Sequence, residues 1–107
     1  MLKLTSLVAV AVAGILLTAS HVPAARPASV DIKDFRYGPA MLTVPVGAQV
    51  TWTNHDEESH TITSATGAFG SAGLSHDETF TQTFARPGTY AYFCALHPQM
   101  RATVVVR

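Results

Sequence analysis

Cys94, His97 and Met100 place three potential metal ligands at i, i+3 and i+6 within the segment Cys94-Ala95-Leu96-His97-Pro98-Gln99-Met100. In an extended strand the first and last would stand roughly 20 Å apart, at about 3.3 Å per residue, too far for one ion to touch both. A helix would align all three on one face, but Pro98 has no N–H and clashes in a helix interior. A tight loop that curls back on itself is the geometry that unites them. Thiolate, imidazole and thioether form a soft donor set. Taken singly, a cysteine is usually a small buried hydrophobe and a methionine core filler, and a histidine an ordinary polar residue. Three of them within seven residues point instead to a metal.

Two histidines, one cysteine and a weak axial methionine describe a blue-copper electron-transfer centre, holding one ion. The second histidine must come from elsewhere, and the chain beyond its first 25 residues offers His55, His60 and His76. His60 lies in Ser-His-Thr-Ile-Thr, a β-like run a short connection after Asn54, and is the expected ligand. His55 stands beside Asp56-Glu57-Glu58, a solvated acidic turn, and His76 precedes Asp77-Glu78 in another polar loop.

Copper alternates between Cu(II), which favours tetragonal surroundings, and Cu(I), which accepts soft ligands and fewer of them. A stiff scaffold limits the rearrangement between the two. Four ligands fill the site and no carboxylate or base falls inside the loop, so the expectation is one-electron shuttling and no enzyme. A binuclear copper site needs two cysteines, and only Cys94 exists; the His-x-His pairs of multicopper oxidases are missing. Use of Cys94 as nucleophile with His97 as base would require an oxyanion loop or helix N-terminus, and none is legible. A copper carrier or buffer with the same ligands is the alternative. A metal-free adhesive β-sandwich would leave the loop unexplained.

The elements that must position these ligands read as short runs rich in Val, Thr, Phe and Tyr, broken by Gly and Pro, with no helical period. Expected strands are Val30 to Phe35, Met41 to Val46 (with Pro45 marking an edge or bulge), Ala48 to Asn54, Ser59 to Ser64, Glu78 to Phe84, Tyr90 to Cys94 and Ala102 to Val106. Pro87-Gly88 suits a type II turn. About seven strands at this spacing predict an all-β protein, a Greek-key sandwich. Cys94 shares parity with Tyr90 and Tyr92, so its sulfur points inward. Trp52, Phe80, Phe84, Tyr90 and Tyr92 are expected core.

The chain has 107 residues, a formal net charge of +0 and a single cysteine. Neutrality leaves no electrostatic footprint for nucleic acid or anionic lipid. One cysteine excludes an internal disulfide framework. The N-terminal part carries Lys3, then an apolar run of 14 residues from Leu4 to Leu17, then small residues through Ala25. That run is short for a membrane span, which needs about 20 residues, and suits a secretory signal with its cleavage region. Residues 1–25 are therefore expected to be removed, leaving 26–107 as one periplasmic or otherwise exported domain without a membrane span. A domain this small buries a limited core, and a bound metal is one way to add stability.

Over nearly the whole span from Val30 to Val106 the sequence resembles the type 1 blue-copper proteins, or cupredoxins, of the plastocyanin and amicyanin kind. The markers are Asp34-Phe35-Arg36-Tyr37-Gly38-Pro39, Val44-Pro45-Val46-Gly47, Val50-Thr51-Trp52-Thr53-Asn54, Ser59-His60-Thr61, Phe69 to Leu74, and Pro87-Gly88-Thr89-Tyr90 through Met100. The Cys-x-x-His-x-x-Met loop is the short, amicyanin-like version. The resemblance implies a cupredoxin-like β-sandwich in which His60, Cys94 and His97 are strong equatorial copper ligands and Met100 the weak axial one. It also implies a redox protein partner docking on an apolar patch around the His97 ring edge, here Leu96 and Pro98, with the protein acting as a monomer. Near-neutral charge implies docking without strong electrostatic steering. In one respect the sequence departs from many relatives: Thr61 stands where they carry Asn after the first histidine.

Overall fold

The computed structural model describes Lys3, Thr5, residues 8–15 and residues 27–107. Strands form where alternating side chains can bury one face. In Ala48–Asn54 the even positions Ala48, Val50, Trp52 and Asn54 are buried, while Gln49, Thr51 and Thr53 face outward. Eight strands result: β1 (Ala28–Lys33), β2 (Arg36–Gly38), β3 (Met41–Val44), β4 (Ala48–Asn54), β5 (Thr63–Ser64), β6 (Thr79–Phe84), β7 (Gly88–Phe93) and β8 (Arg101–Val106). They make two four-stranded sheets, ordered β2-β1-β4-β6 and β3-β8-β7-β5. Every connection from β2 through β7 crosses between the sheets, so each sheet is assembled from both halves of the chain. Two of the pairings are parallel, β1 with β4 and β3 with β8. The expected all-β sandwich is present, and no helix occurs among the described residues.

The core lies between the sheets. Val30, Ile32, Val50 and Trp52 from one sheet meet Tyr92 and Val104 from the other, all almost inaccessible to water. Trp52 Nε1 donates across the core to the Tyr92 hydroxyl at 3.1 Å, and the Tyr37 ring packs edge-on against Tyr92 at 4.8 Å. Phe84 is also buried, whereas Phe80 and Tyr90 pack against this cluster from partly buried positions. Every buried side-chain nitrogen and oxygen among the described residues has a hydrogen-bond partner, as small interiors require.

The differences from the expected strands are local. The first strand breaks at Asp34, because Asp34 and Phe35 adopt left-handed backbone angles (φ 52° and 58°) and turn the chain into β2. The fourth expected strand contracts to Thr63–Ser64, with His60 joined to Leu74 by an isolated bridge. Gly88 is no turn residue: it is the first residue of β7, paired with Val106. Pro45 lies just past β3, which is an edge strand. Much of the 1–25 segment lies outside the described residues; within it Val8, Val10, Val12 and Ile15 are exposed.

Burial has a titration consequence. Desolvation pushes the Tyr92 phenol up to about 12, against a partial opposing effect of the Trp52 hydrogen bond. Desolvation, together with Cys94 and Tyr92 nearby, pushes Tyr37 higher still. A phenol that ionises later in the folded state stabilises the fold fully below the unfolded value near pH 10. That contribution is lost as pH climbs through the folded value. Unfolding free energy is therefore expected to fall above pH 10, by on the order of 3 kcal/mol for Tyr92. Phenolate absorbance should show the Tyr37 and Tyr92 ionisations only at markedly higher pH or together with unfolding.

Candidate metal centre

Phe93 and Arg101 are cross-strand partners in β7 and β8, so residues 94–100 are the whole of the connection between these strands. The loop is closed by three backbone bonds. The His97 N–H donates to Cys94 O at 3.2 Å, Met100 N–H to His97 O at 2.9 Å, and Cys94 N–H to Met100 O at 3.1 Å. Two successive turns thus return Met100 to the side of Cys94, the curled geometry expected from the spacing. Cys94 is fully buried and Met100 nearly so, while His97 is partly exposed between exposed Leu96 and Pro98.

His60 arrives from the segment between β4 and β5. Its N–H donates to Leu74 O at 3.1 Å and its carbonyl accepts the Leu74 N–H at 2.7 Å, which holds the backbone in place. Its imidazole is wholly buried. The Nδ1 atoms of His60 and His97 face Cys94 Sγ at 3.8 and 3.7 Å, and the three candidate ligand atoms all lie within 4.8 Å of one another. His55 and His76 are elsewhere and about half exposed: His55 Nε2 meets Asp31 at 2.9 Å and His76 Nε2 meets Asp77 at 3.3 Å. One sulfur and two imidazole nitrogens converging beside the buried Cys94 and His60, with a thioether residue at the loop's end, are a donor set that fits copper.

Thr61 binds the two ligand segments together. Its N–H donates to Cys94 Sγ at 3.3 Å, and its hydroxyl accepts the Ala95 N–H at 2.8 Å while exchanging a second bond with the Thr63 hydroxyl. Its carbonyl accepts from the Tyr37 hydroxyl. The residue that departs from the usual Asn therefore still bridges the two loops, through a shorter side chain.

Two neighbours of the site were not apparent in the sequence. Asp56, which reads as part of a solvated acidic turn, is only 12% exposed and lies 2.8 Å from His60 Nε2 through Oδ2. The same carboxylate accepts the Asp34 N–H at 2.8 Å and the Phe35 N–H at 2.9 Å. Desolvation alone would raise the Asp56 carboxyl; the hydrogen bonds from Phe35, His60 and Asp34 outweigh it and hold the group below the usual carboxylate range. Phe35 packs edge-on against both imidazoles, with centroids at 5.0 Å from His60 and 5.0 Å from His97. Left-handed angles at two consecutive non-glycine residues cost of order 1–3 kcal/mol each, and the paired bonds to Asp56 offset that cost. The four-residue step from Asp56 to His60 was the one available signal, and outside a helix that spacing carries no geometric meaning.

A two-sheet sandwich carrying a His-Cys-His cluster on one inter-strand loop and one crossing segment defines a recognisable class. The sequence profile of the cupredoxin-like domain matches residues 6–106, and the chain belongs to that family. It is 38% identical over 82 residues to amicyanin from Paracoccus denitrificans, a match that covers 72% of this chain and 63% of the relative. It is 33% identical over 99 residues to the chloroplastic plastocyanin of Tetradesmus obliquus, covering 82% of this chain and 68% of that protein. Among solved structures, an amicyanin variant in its reduced Cu(I) form superposes with a TM-score of 0.73 at 32% identity, over 77% of this chain and 83% of the other.

The Thr61 bridge can be tested without metal. Thr61→Val keeps the shape but leaves the Ala95 N–H without its acceptor, and is expected to lower unfolding free energy by about 1–3 kcal/mol. Thr61→Ser should retain most of it. Denaturant titration of the metal-free protein compares the two.

Proposed function

We propose that this protein carries single electrons between redox partners through one copper ion held by His60, Cys94 and His97, with Met100 as a weak axial ligand. The observation that carries this reading is the convergence of the two Nδ1 atoms and Cys94 Sγ within 4.8 Å, on segments fixed by strand pairing and backbone bonds. Copper bound there would supply one-electron exchange between Cu(II) and Cu(I). The chain's own contribution is to hold its donors still. Closure of the 94–100 loop, the His60–Leu74 bridge and Thr61 leave each ligand little freedom to move. Burial of Cys94, His60 and Met100 excludes water and leaves the partly exposed His97 as the ligand nearest the surface. A fixed, filled site suits transfer of electrons and has no position for a substrate. Membership of a family with amicyanin and plastocyanin relatives supports the same reading.

The docking surface for the redox partner is the apolar ground around His97, where Leu96 is 56% exposed and Pro98 also faces outward. Ala95 beside them adds no charge, in keeping with a contact made by apolar fit. The working form is a monomer comprising residues 26–107, exported after removal of residues 1–25. Lys3 and the apolar run behind it support that assignment, as does the core, whose described members all lie beyond residue 28.

Addition of Cu(II) to the metal-free protein is expected to produce an intense visible sulfur-to-copper charge-transfer band that bleaches on reduction. Cys94→Ser should abolish the band. A colourless wild-type protein, or colour that survives Cys94→Ser, would rule out the site as described. The electron carrier and the copper buffer then separate by kinetics. Rapid reversible reduction by a small redox protein, with copper retained against a weak chelator, is expected here; ready surrender of copper to that chelator would favour a buffer.

A further inference from the structure

The metal centre has a support that its ligand list does not contain. His60 has two ring nitrogens with different neighbours: Nδ1 faces Cys94 Sγ at 3.8 Å, and Nε2 faces the Asp56 carboxylate at 2.8 Å. A carboxylate only accepts hydrogen bonds when ionised, so the proton of a neutral His60 belongs on Nε2 and the lone pair on Nδ1. The aim of Nδ1 toward the sulfur follows from what holds the opposite nitrogen.

Asp56 is itself held. Its N–H donates to Asn54 Oδ1 at 2.9 Å, and the fully buried Asn54 amide donates to Glu58 O and Leu74 O, both at 2.8 Å. Leu74 is the residue bridged to the His60 backbone, so the carboxylate and the imidazole are anchored to one frame. The other bonds of Asp56 run to the Asp34 and Phe35 N–H groups, more than 20 residues away. Those bonds hold the left-handed turn that lays Phe35 over both imidazoles.

We infer that Asp56 is a positioning residue of the metal centre: its single carboxylate sets the His60 tautomer and pins the Asp34-Phe35 turn that covers the two histidines. Carboxylates placed behind a ligating histidine fix ring orientation and tautomer, and their loss typically weakens metal binding 10- to 100-fold. The inference rests on the proposed copper site only in treating His60 Nδ1 as a ligand atom.

The test begins without metal. In histidine-labelled wild-type protein at pH 8, proton–nitrogen correlation spectra should place the His60 proton on Nε2, and the Asp34 and Phe35 amides should exchange slowly. Asp56→Leu keeps a side chain of similar shape but removes both acceptor oxygens, the one shared by Phe35 N–H and His60 Nε2 included. It is expected to move the His60 proton to Nδ1, speed exchange at Asp34 or Phe35, and weaken Cu(II) binding by about 10- to 100-fold in a chelator competition. A wild-type His60 protonated on Nδ1 would overturn the inference whether or not the variant folds. So would an Asp56→Leu protein with wild-type tautomer and wild-type affinity. Because the tautomer and amide exchange are read on the metal-free protein, a wild type that binds no copper would defeat the copper reading and leave these measurements to decide the role of Asp56.

Discussion

Everything at the candidate site is arranged around a sulfur atom that water does not reach. Cys94 sits where β7 ends, with its side chain in the core, so the other donors must be brought to it. His97 and Met100 come by a loop that closes on itself, and His60 by a segment that crosses from the opposite sheet. The polar groups that accompany them into the interior must all be paired there, since an unpaired buried donor or acceptor costs about 1–3 kcal/mol. Thr61, Asn54 and Asp56 meet that requirement, and in doing so they contact the candidate ligand segments directly.

The sandwich suits this task because its sheets are assembled from alternating parts of the chain. β4, leading into His60, lies in one sheet, and β7, leading into Cys94, lies in the other. The Trp52–Tyr92 hydrogen bond and the aromatic packing around it tie those two strands together through the middle of the core. Displacement of one sheet relative to the other would therefore disturb core packing before it could separate the candidate ligands.

Much of this was legible in the residues themselves, where the governing interactions are local. β4 was readable because its alternation has one buried face and no competing turn signal. The Cys94-to-Met100 loop was readable because Pro98 and the ligand spacing leave a single compact geometry. Asp56 was not, because its partners come from Asp34 and Phe35, and nothing in an acidic turn announces a distant pair of N–H groups. The break at Asp34 was hidden for the same reason: Phe35 disfavours a left-handed backbone, and only the tertiary bond to Asp56 holds it there. The contraction of the strand around His60 follows from backbone groups at residues 60 and 61 being engaged by Leu74 and by the Cys94 sulfur instead of a neighbouring strand.

The parallel pairing of β3 with β8 has a consequence for the order in which this molecule comes into being. β8 lies inside its sheet, between β3 and β7, yet it comes after both of them among the described strands. The sheet cannot close until residues 101–106 are available, and contacts between such distant segments form slowly. Met100 adjoins that strand, so the 94–100 loop and the inner strand of the sheet share one boundary. A chain arranged this way leaves the joining of β3 to β8, its most widely separated pairing in that sheet, for late in folding.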